Sequence, residues 1–117
     1  MLKSLAKTFR SYFHKDGIAY NMLRTSIGGC DFDLEPWAYN EQPQNDRHLS
    51  NFTQLDFRDL LKIKLMQRLK LVAVQNNIKI MASAWSPPPW MKSNNNWSGY
   101  SSLKPEYYET WAQYHLK

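Results

Sequence analysis

The residues of this chain best suited to chemistry are two tryptophans on either side of a proline run. Trp85 and Trp90 flank a turn in which three consecutive prolines stand at 87–89. Proline lacks an amide hydrogen and fixes φ, so neither a helix nor a central strand continues through this turn. An indole offers a broad apolar face with an N–H at its rim, which is typical of a cleft that binds sugar rings. Trp85 is the candidate contact, whereas Trp90 is expected to pack against the turn.

Three segments have the apolar spacing of amphipathic helices, which would position such a turn. Apolar side chains recur at helical intervals over residues 2–14 and over 61–73, and Asn76 with Asn77 is expected to stop the second helix. A third helix is predicted from Pro105, because proline is favoured at the first helical position. Together with the strands described next, these helices give an alternating pattern.

Two short apolar runs, at residues 20–27 and 78–84, predict strands, the first with mostly buried faces. A long loop follows each strand, and connections as long as 30–57 tend to be functional. Strands that alternate with helices imply parallel pairing through right-handed crossovers. In a (β/α)₈ barrel the active site is built from the loops that follow the strands. The sequence therefore predicts an α/β fold, a partial (β/α)₈ TIM barrel covering about the second and third βα units. A short doubly wound sheet is the alternative.

Composition argues against several classes of protein. A length of 117 residues permits one domain or part of one, and five Trp with seven Tyr argue against disorder. The net charge is +5, but the basic residues are spread along the chain, so no nucleic-acid partner is expected. No segment approaches the roughly 18–20 apolar residues of a membrane span, and the N-terminus lacks the apolar core of a secretory signal.

Cysteine and histidine usage gives no sign of a metal or a cofactor. Cys30 is the single cysteine, which rules out an internal disulfide, and we expect it to be a small buried residue. The histidines His14, His48 and His115 are scattered without metal-ligand spacing. We therefore expect neither a metal nor a cofactor.

Five segments carry patterns more specific than any lone short motif. They are residues 17–24 (GIAYNMLR), 30–32 (CDF), 48–52 (HLSNF), 82–92 (ASAWSPPPWMK) and 110–114 (TWAQY). With these segments the chain resembles the lysosomal glucosylceramidases of glycoside hydrolase family 30, and the resemblance runs from about Leu2 to Lys117.

The resemblance implies a (β/α)₈ barrel with an attached β-domain that cleaves the β-glucosidic bond of glucosylceramide with retention. Retention uses two carboxyl groups about 5 Å apart, one as nucleophile and one as acid and then base. In the family the acid/base glutamate lies in an Asn-Glu-Pro motif after the fourth strand, and the nucleophile follows the seventh. The glutamates of this chain lie outside such a motif: Glu35, Glu41, Glu106 and Glu109. We therefore expect residues 1–117 to be an internal fragment of the catalytic barrel domain, with no catalytic residue and no activity by itself.

The resemblance also implies roles for individual side chains. Asp31 would accept hydrogen bonds from glucose hydroxyls, and Trp85 would border the glucose pocket. Arg24 would support the active site by facing a carboxylate in the barrel mouth, and Phe32 would line that mouth. Each has a simpler alternative: a solvated loop aspartate, a core tryptophan, an ion pair of Arg24 with Asp31 or Asp33, and an aromatic ring that packs the loop.

The expected setting is sphingolipid metabolism in the lysosome or secretory pathway. By resemblance, the partners are a glucosylceramide-type glycolipid, an activator saposin and an anionic lipid surface. A glycosylation sequon at Asn51 falls where the family has a comparable one, and Asn96 begins a second sequon.

Two other classes of function stay open. One is a non-catalytic carbohydrate-binding or regulatory protein derived from the barrel. The other is a peripheral membrane binder that uses Leu2, Leu5, Phe9 and the nearby basic residues. The isolated chain is expected to fold poorly or to aggregate, because two parallel strands leave pairing edges and apolar helix faces uncovered.

Overall fold

A computed structural model of the chain describes residues 2–73 and 77–117, without the side chains of Leu2 and Lys3. Its helices and strands follow the predicted order: α1 at Leu2–Phe13, β1 at Met22–Ile27, α2 at Phe57–Val72, β2 at Lys79–Ala84 and α3 at Tyr108–Tyr114. Short 3₁₀ turns lie at Pro89–Met91 and Pro105–Tyr107. The strands β1 and β2 are parallel neighbours joined through α2, so the partial (β/α)₈ barrel is confirmed.

The ends of these elements have local causes. Asp59 lies in the first turn of α2 and Lys70 in its last, where each charge complements the helix dipole. The helix α2 ends at Val72, before the expected stop at Asn76 with Asn77, of which Asn76 lies outside the described residues. Pro105 occupies the first turn of the segment that leads into α3, as the sequence predicts.

The chain forms two compact units, of which the first comprises Met1–Thr25 and Phe57–Ser83. In this unit α1 contacts α2, and Leu69 on α2 is buried. Leu61 and Leu65 of the same helix stay exposed. None of the described helices combines the length and the apolar character needed to cross a bilayer.

The prediction that the first strand has mostly buried faces is wrong. Met22 of β1 is exposed, and so are Ile80 and Met81 of β2. A parallel sheet is buried only where further layers cover it, and the described residues supply a sheet of only two strands.

The second unit, Ser26–Asp56 with Ala84–Lys117, has an aromatic core. Tyr39 stacks on Phe52 with ring centroids 4.3 Å apart, and Trp90 meets Tyr107 edge to face at 4.9 Å. The buried hydroxyl of Tyr114 accepts a 2.9 Å hydrogen bond from the Tyr39 amide. Aromatic pairs of this kind contribute about 0.5–1.5 kcal/mol beyond the area they bury. The core therefore fixes the long loop after β1 against the helix α3 of the same unit.

Candidate functional site

A cavity of about 390 Å³ opens in the second unit, among residues that follow β1 and β2. This volume lies at the lower end of the roughly 300–1,000 Å³ range of ligand sites. The side chains that matter for its chemistry are Asp31, Trp37, Trp85, Ser86, Lys92 and Trp97. The sequence-predicted pair, Asp31 and Trp85, thus lines one cavity.

Asp31 presents an open carboxylate to this cavity. It is exposed, and among the described residues no group donates a hydrogen bond to it. An ionised carboxylate is an acceptor with two oxygens. Asp31 can therefore receive two hydroxyl donors from a ligand without losing an internal partner.

Trp85 directly follows β2 and keeps 46% of its surface exposed. Trp90, in contrast, is buried, with 3% exposed. The Trp90 indole N–H donates to the Asn40 carbonyl at 2.8 Å, so Trp90 packs the turn as expected. The two tryptophans therefore have different roles, since Trp85 lines the cavity and Trp90 holds the turn in place.

Close approach of backbone and indole fixes the wall after β1. The Gly29 amide donates to the Trp37 carbonyl at 3.1 Å. A Cβ at residue 29 would lie 2.6 Å from that carbonyl oxygen and 2.7 Å from Cδ1 of the Trp37 ring. Only glycine permits this approach, and the wall contributed by Trp37 depends on it.

Asp33 is a positioning residue that sequence reasoning missed in this role. One oxygen of its carboxylate, Oδ2, accepts the Cys30 amide and the Trp37 indole N–H, both at 2.9 Å. The only sequence signal is an aspartate three residues after Cys30, a spacing at which such side chains close turns. Cys30 itself is half-buried at the cavity wall, in contrast to the buried position expected for it.

Lys92 and Trp97 also line the cavity and were not predicted. Lys92 is only 7% exposed, and its Nζ donates to the Trp97 carbonyl at 3.0 Å and to Ser86 Oγ at 3.4 Å. Lysine is almost never this buried unless its ammonium is satisfied. The only sequence signal for Lys92 was its place at the end of the segment 82–92.

Other predicted residues lie elsewhere. Phe32 is 92% exposed and does not line the cavity. Arg24 belongs to the first unit, where Nη2 donates to Ser83 Oγ at 3.1 Å and where it lines an apolar pocket with Phe9 and Leu69. Within the second unit, the structure therefore brings together Asp31 and Trp85 without Phe32.

Asn51, the predicted glycosylation residue, is exposed. Its amide nitrogen donates to an oxygen of Asp46 at 3.1 Å, which holds the sequon in a folded loop.

No glutamate among residues 2–73 and 77–117 lines the cavity. Glu41 accepts the Ala38 amide at 3.0 Å, and Glu109 accepts the Gln113 amide group at 3.1 Å. Within the same residues, no group of three or more histidine, cysteine, aspartate or glutamate side chains could hold a metal ion. Among the described residues that line the cavity, Asp31 is the one carboxylate, so they present no pair of carboxylates.

The comparisons with known proteins agree on one family. The Glycosyl hydrolase family 30 TIM-barrel domain matches residues 2–117. Over 113 residues the chain is 39% identical to lysosomal acid glucosylceramidase of Mus musculus, and over 106 residues it is 32% identical to an endo-1,6-beta-D-glucanase of Neurospora crassa. These alignments cover 92% and 86% of this chain but only 21% and 22% of the relatives.

A solved structure shares the fold as well. The crystal structure of SrfJ from Salmonella typhimurium superposes with a TM-score of 0.81 at 30% identity, covering 99% of this chain and 25% of that one. The chain thus spans about a fifth to a quarter of the length of these proteins. From the domain match and these similarities, the chain belongs to glycosyl hydrolase family 30, within that family's TIM-barrel domain.

Proposed function

We propose that these residues supply part of the glucose-binding wall of a retaining β-glucosidase of the glucosylceramidase type. The single observation that carries this proposal is the cavity that Asp31 and Trp85 share. The 39% identity to the mouse lysosomal acid glucosylceramidase supports the choice of a glucoside as ligand.

The proposed contacts follow from the chemistry of the two side chains. The apolar face of Trp85 packs on the C–H face of the sugar ring, and its indole N–H lies at the rim, where hydroxyls are. The carboxylate of Asp31 accepts two of those hydroxyls in charge-assisted hydrogen bonds, which are about twice as strong as neutral ones. Together the two residues select a ring by its shape and its hydroxyl pattern.

The bond-breaking step needs carboxyl groups that these residues do not bring to the cavity. Retention requires a nucleophile and an acid/base about 5 Å apart, and no described glutamate lines the cavity. We infer that residues 1–117 act as part of a catalytic barrel domain whose glutamates come from its other segments. Under this proposal Arg24 and Phe32 act on ligand or catalytic groups only within that larger barrel.

A ligand titration tests the proposed binding wall. The 117-residue chain is titrated with methyl β-D-glucoside and followed by the NMR signals of the tryptophan indole N–H groups. Asp31→Asn is expected to weaken binding at least about tenfold, since a charged acceptor is lost. Glu106→Gln makes the same chemical change at an exposed position outside the cavity and serves as the control. Equal affinity of the two variants contradicts the role of Asp31.

Catalysis is tested in a chimera. The isolated chain is expected to leave a fluorogenic β-glucoside intact. When residues 2–117 replace the matching segment of the mouse relative, we expect hydrolysis that Asp31→Asn reduces by about 10²-fold or more. The mouse relative is named a glucosylceramidase and the Neurospora relative a 1,6-beta-D-glucanase, so the chimera is assayed on glucosylceramide and on a β-1,6-glucan to tell these two substrate classes apart. Robust turnover by the isolated chain would refute the proposal.

A second candidate function is a non-catalytic carbohydrate-binding or regulatory protein. The cavity, with Asp31 and Trp85 but no described glutamate, is equally compatible with this function. The non-catalytic function predicts that the isolated chain binds the glucoside and that the chimera with the mouse relative stays inactive. If the chain is instead a segment of a catalytic barrel, that chimera is active.

We further propose a lysosomal or secretory setting, with a glycolipid substrate, an activator saposin and an anionic lipid surface as partners. The exposed sequon at Asn51 and the similarity to a lysosomal relative support this setting. Expression through the secretory pathway is expected to give a chain whose mass falls when N-glycans are removed. The loss of mass is expected to be smaller in Asn51→Gln. No change in mass would argue against it.

A further inference from the structure

We propose that Trp97 is a further carbohydrate-contacting residue, presented by a preorganised wall at residues 93–102 that Lys92 holds beside the cavity. This inference rests on the proposed function, because the ring that Trp97 would contact is the glucoside bound by Asp31 and Trp85. It adds an aromatic face that neither the family match nor the sequence assigns.

The wall at 93–102 is stiffened by its own asparagines. The Asn94 amide group donates to the Ser98 carbonyl at 2.8 Å and to the Tyr100 carbonyl at 3.4 Å, while its oxygen accepts the Asn96 amide at 3.1 Å. The Asn96 side chain in turn accepts the Ser98 amide at 3.4 Å. Asparagine favours such local turns, and the bonds of Asn94 and Asn96 order this loop.

Two bonds close the base of the wall. Ser93 donates its amide to the Ser102 carbonyl at 2.9 Å, and the Ser102 amide donates back to Ser93 Oγ at 3.0 Å. Lys104 ties the loop further, since its Nζ donates to Asn95 Oδ1 at 2.9 Å and to the Trp90 carbonyl at 3.0 Å. The loop is thereby fixed to the buried turn that carries Trp90.

Lys92 sets the position of Trp97 itself. Its buried ammonium donates to the backbone carbonyl of Trp97 at 3.0 Å and to Ser86 Oγ at 3.4 Å. Ser86 directly follows Trp85, so one cation connects the backbone of Trp97 with the residue next to Trp85. The ammonium is engaged by the protein, and Lys92 therefore acts as a positioning residue.

The chemistry of the cavity fits a neutral ring held against aromatic faces. Trp97 is partly exposed and lines the same cavity as Trp37 and Trp85, and Asp31 supplies a hydrogen-bond acceptor. Indoles offer broad faces to the C–H bonds of a pyranose, and a wall already ordered before binding does not incur the entropy cost of ordering. A neutral sugar ring such as a β-glucoside therefore fits the indole faces and the Asp31 acceptor of this cavity.

The test uses the indole N–H signals of the 117-residue chain, assigned by Trp→Phe variants, during titration with methyl β-D-glucoside. We expect the Trp85 and Trp97 signals to shift together, while Trp90 and Trp111, which lie outside the cavity, stay unchanged. A shift of Trp85 without Trp97 overturns this inference and leaves the proposed function standing. If neither the Trp85 nor the Trp97 signal shifts, this inference and the proposed function are both contradicted.

Variants separate contact from positioning. Trp97→Ala is expected to raise the Kd for the glucoside about tenfold, and Tyr100→Ala, a fully exposed residue of the same loop, to change it less than about twofold. Lys92→Met is expected to speed amide exchange at Ser93 and Asn95 at least about tenfold, unlike Lys70→Met on the exposed side of α2. Unchanged affinity in Trp97→Ala, or unchanged exchange in Lys92→Met, contradicts the corresponding part of the proposal.

Discussion

At the scale of single residues, the shape of the candidate site depends on a position where any side chain larger than that of glycine would not fit. Gly29 leaves room for the carbonyl and ring of Trp37, and the Asp33 carboxylate then fixes that ring through its indole N–H. Neither residue offers chemistry to a ligand, yet both decide where the aromatic wall stands. The proposed contacts of Asp31 therefore rest on neighbours that only hold the loop.

Gly29→Ala should disrupt this wall far more than Gly28→Ala. A Cβ at residue 29 would meet Trp37 atoms at 2.6–2.7 Å, whereas a Cβ at residue 28 would meet nothing closer than 3.7 Å. The cost at Gly28 arises from its left-handed φ of 73° and amounts to about 1 kcal/mol. The disruption in each variant is measured by amide exchange at Tyr39 and by the NMR shift of the Trp37 indole N–H. Similar disruption in Gly29→Ala and Gly28→Ala would show that Trp37 moves to relieve the clash.

Asp46 gives the loop around Asn51 a dependence on pH. Burial tends to raise the pKa of Asp46, but hydrogen bonds from the Asn51 and Ser50 amides and from the Ser50 and Asn40 side chains more than offset it and lower that pKa. A lowered pKa means that the ionised carboxylate stabilises the fold above the usual aspartate range. This stabilisation is lost as the pH falls through the folded-state pKa.

An NMR titration of the Asp46 carboxyl carbon checks this shift. The wild-type chain should titrate below the usual aspartate range, and Ser50→Ala should move the midpoint upward, because one hydrogen bond to the charged form is removed. A midpoint at or above the usual value contradicts the assignment.

At the scale of elements, α2 shows how one helix can be both packed and exposed. Leu69 is 3% exposed, while Leu61, Leu65 and Leu71 keep much of their surface in solvent. A helix of this composition gains its stability from the residues it buries, because propensity alone leaves short helices marginal. The contact between α1 and α2 therefore rests on few side chains.

Leu69→Ala and Leu71→Ala form a matched pair on α2. The first removes a buried side chain and should cost about 2–5 kcal/mol, which is enough to unfold the helix in a unit with so small a core. The second removes an exposed side chain and should change stability by less than about 0.5 kcal/mol. Far-UV circular dichroism and α2 amide exchange report the difference, and equal losses would contradict this packing.

At the scale of the whole molecule, the two units differ in what they bury. The second unit has an aromatic core that includes Trp90, Tyr107 and Tyr114. The first unit buries Leu69 and Ala73 among its described apolar residues. Apolar surface left open on a strand or helix is a site of association in solution.

The isolated chain is therefore expected to associate and to lack a single sharp thermal transition. Amides of the second unit, such as Tyr39, should exchange at least about tenfold more slowly than amides of α2, because local opening follows local burial. Sedimentation and hydrogen exchange measure both properties. A monomer that unfolds in one cooperative step, with uniform protection, would contradict this prediction.

Local patterns in the sequence determined the elements of this protein. Helical spacing, glycines after β1 and prolines after β2 act on neighbouring residues, so the order of helices and strands and the partial barrel followed from the chain alone. The motif of residues 82–92 also led to the family that the comparisons show. What misled the sequence reading was burial, as in Met22 of β1, because a strand's own residues do not reveal which layers cover it.

Tertiary structure alone decided which side chains share the cavity. Asp31 and Trp85 are far apart in sequence, and their meeting in one cavity depends on packing within the second unit. Lys92 closes the motif of residues 82–92 and Trp97 stands within the sequon at Asn96, but neither pattern predicts their roles, which emerge only from hydrogen bonds that form after the loop has folded. Spacing along a chain fixes local geometry, whereas distances between remote residues are set by the core that holds them, and the proposed sugar site is made of such distances.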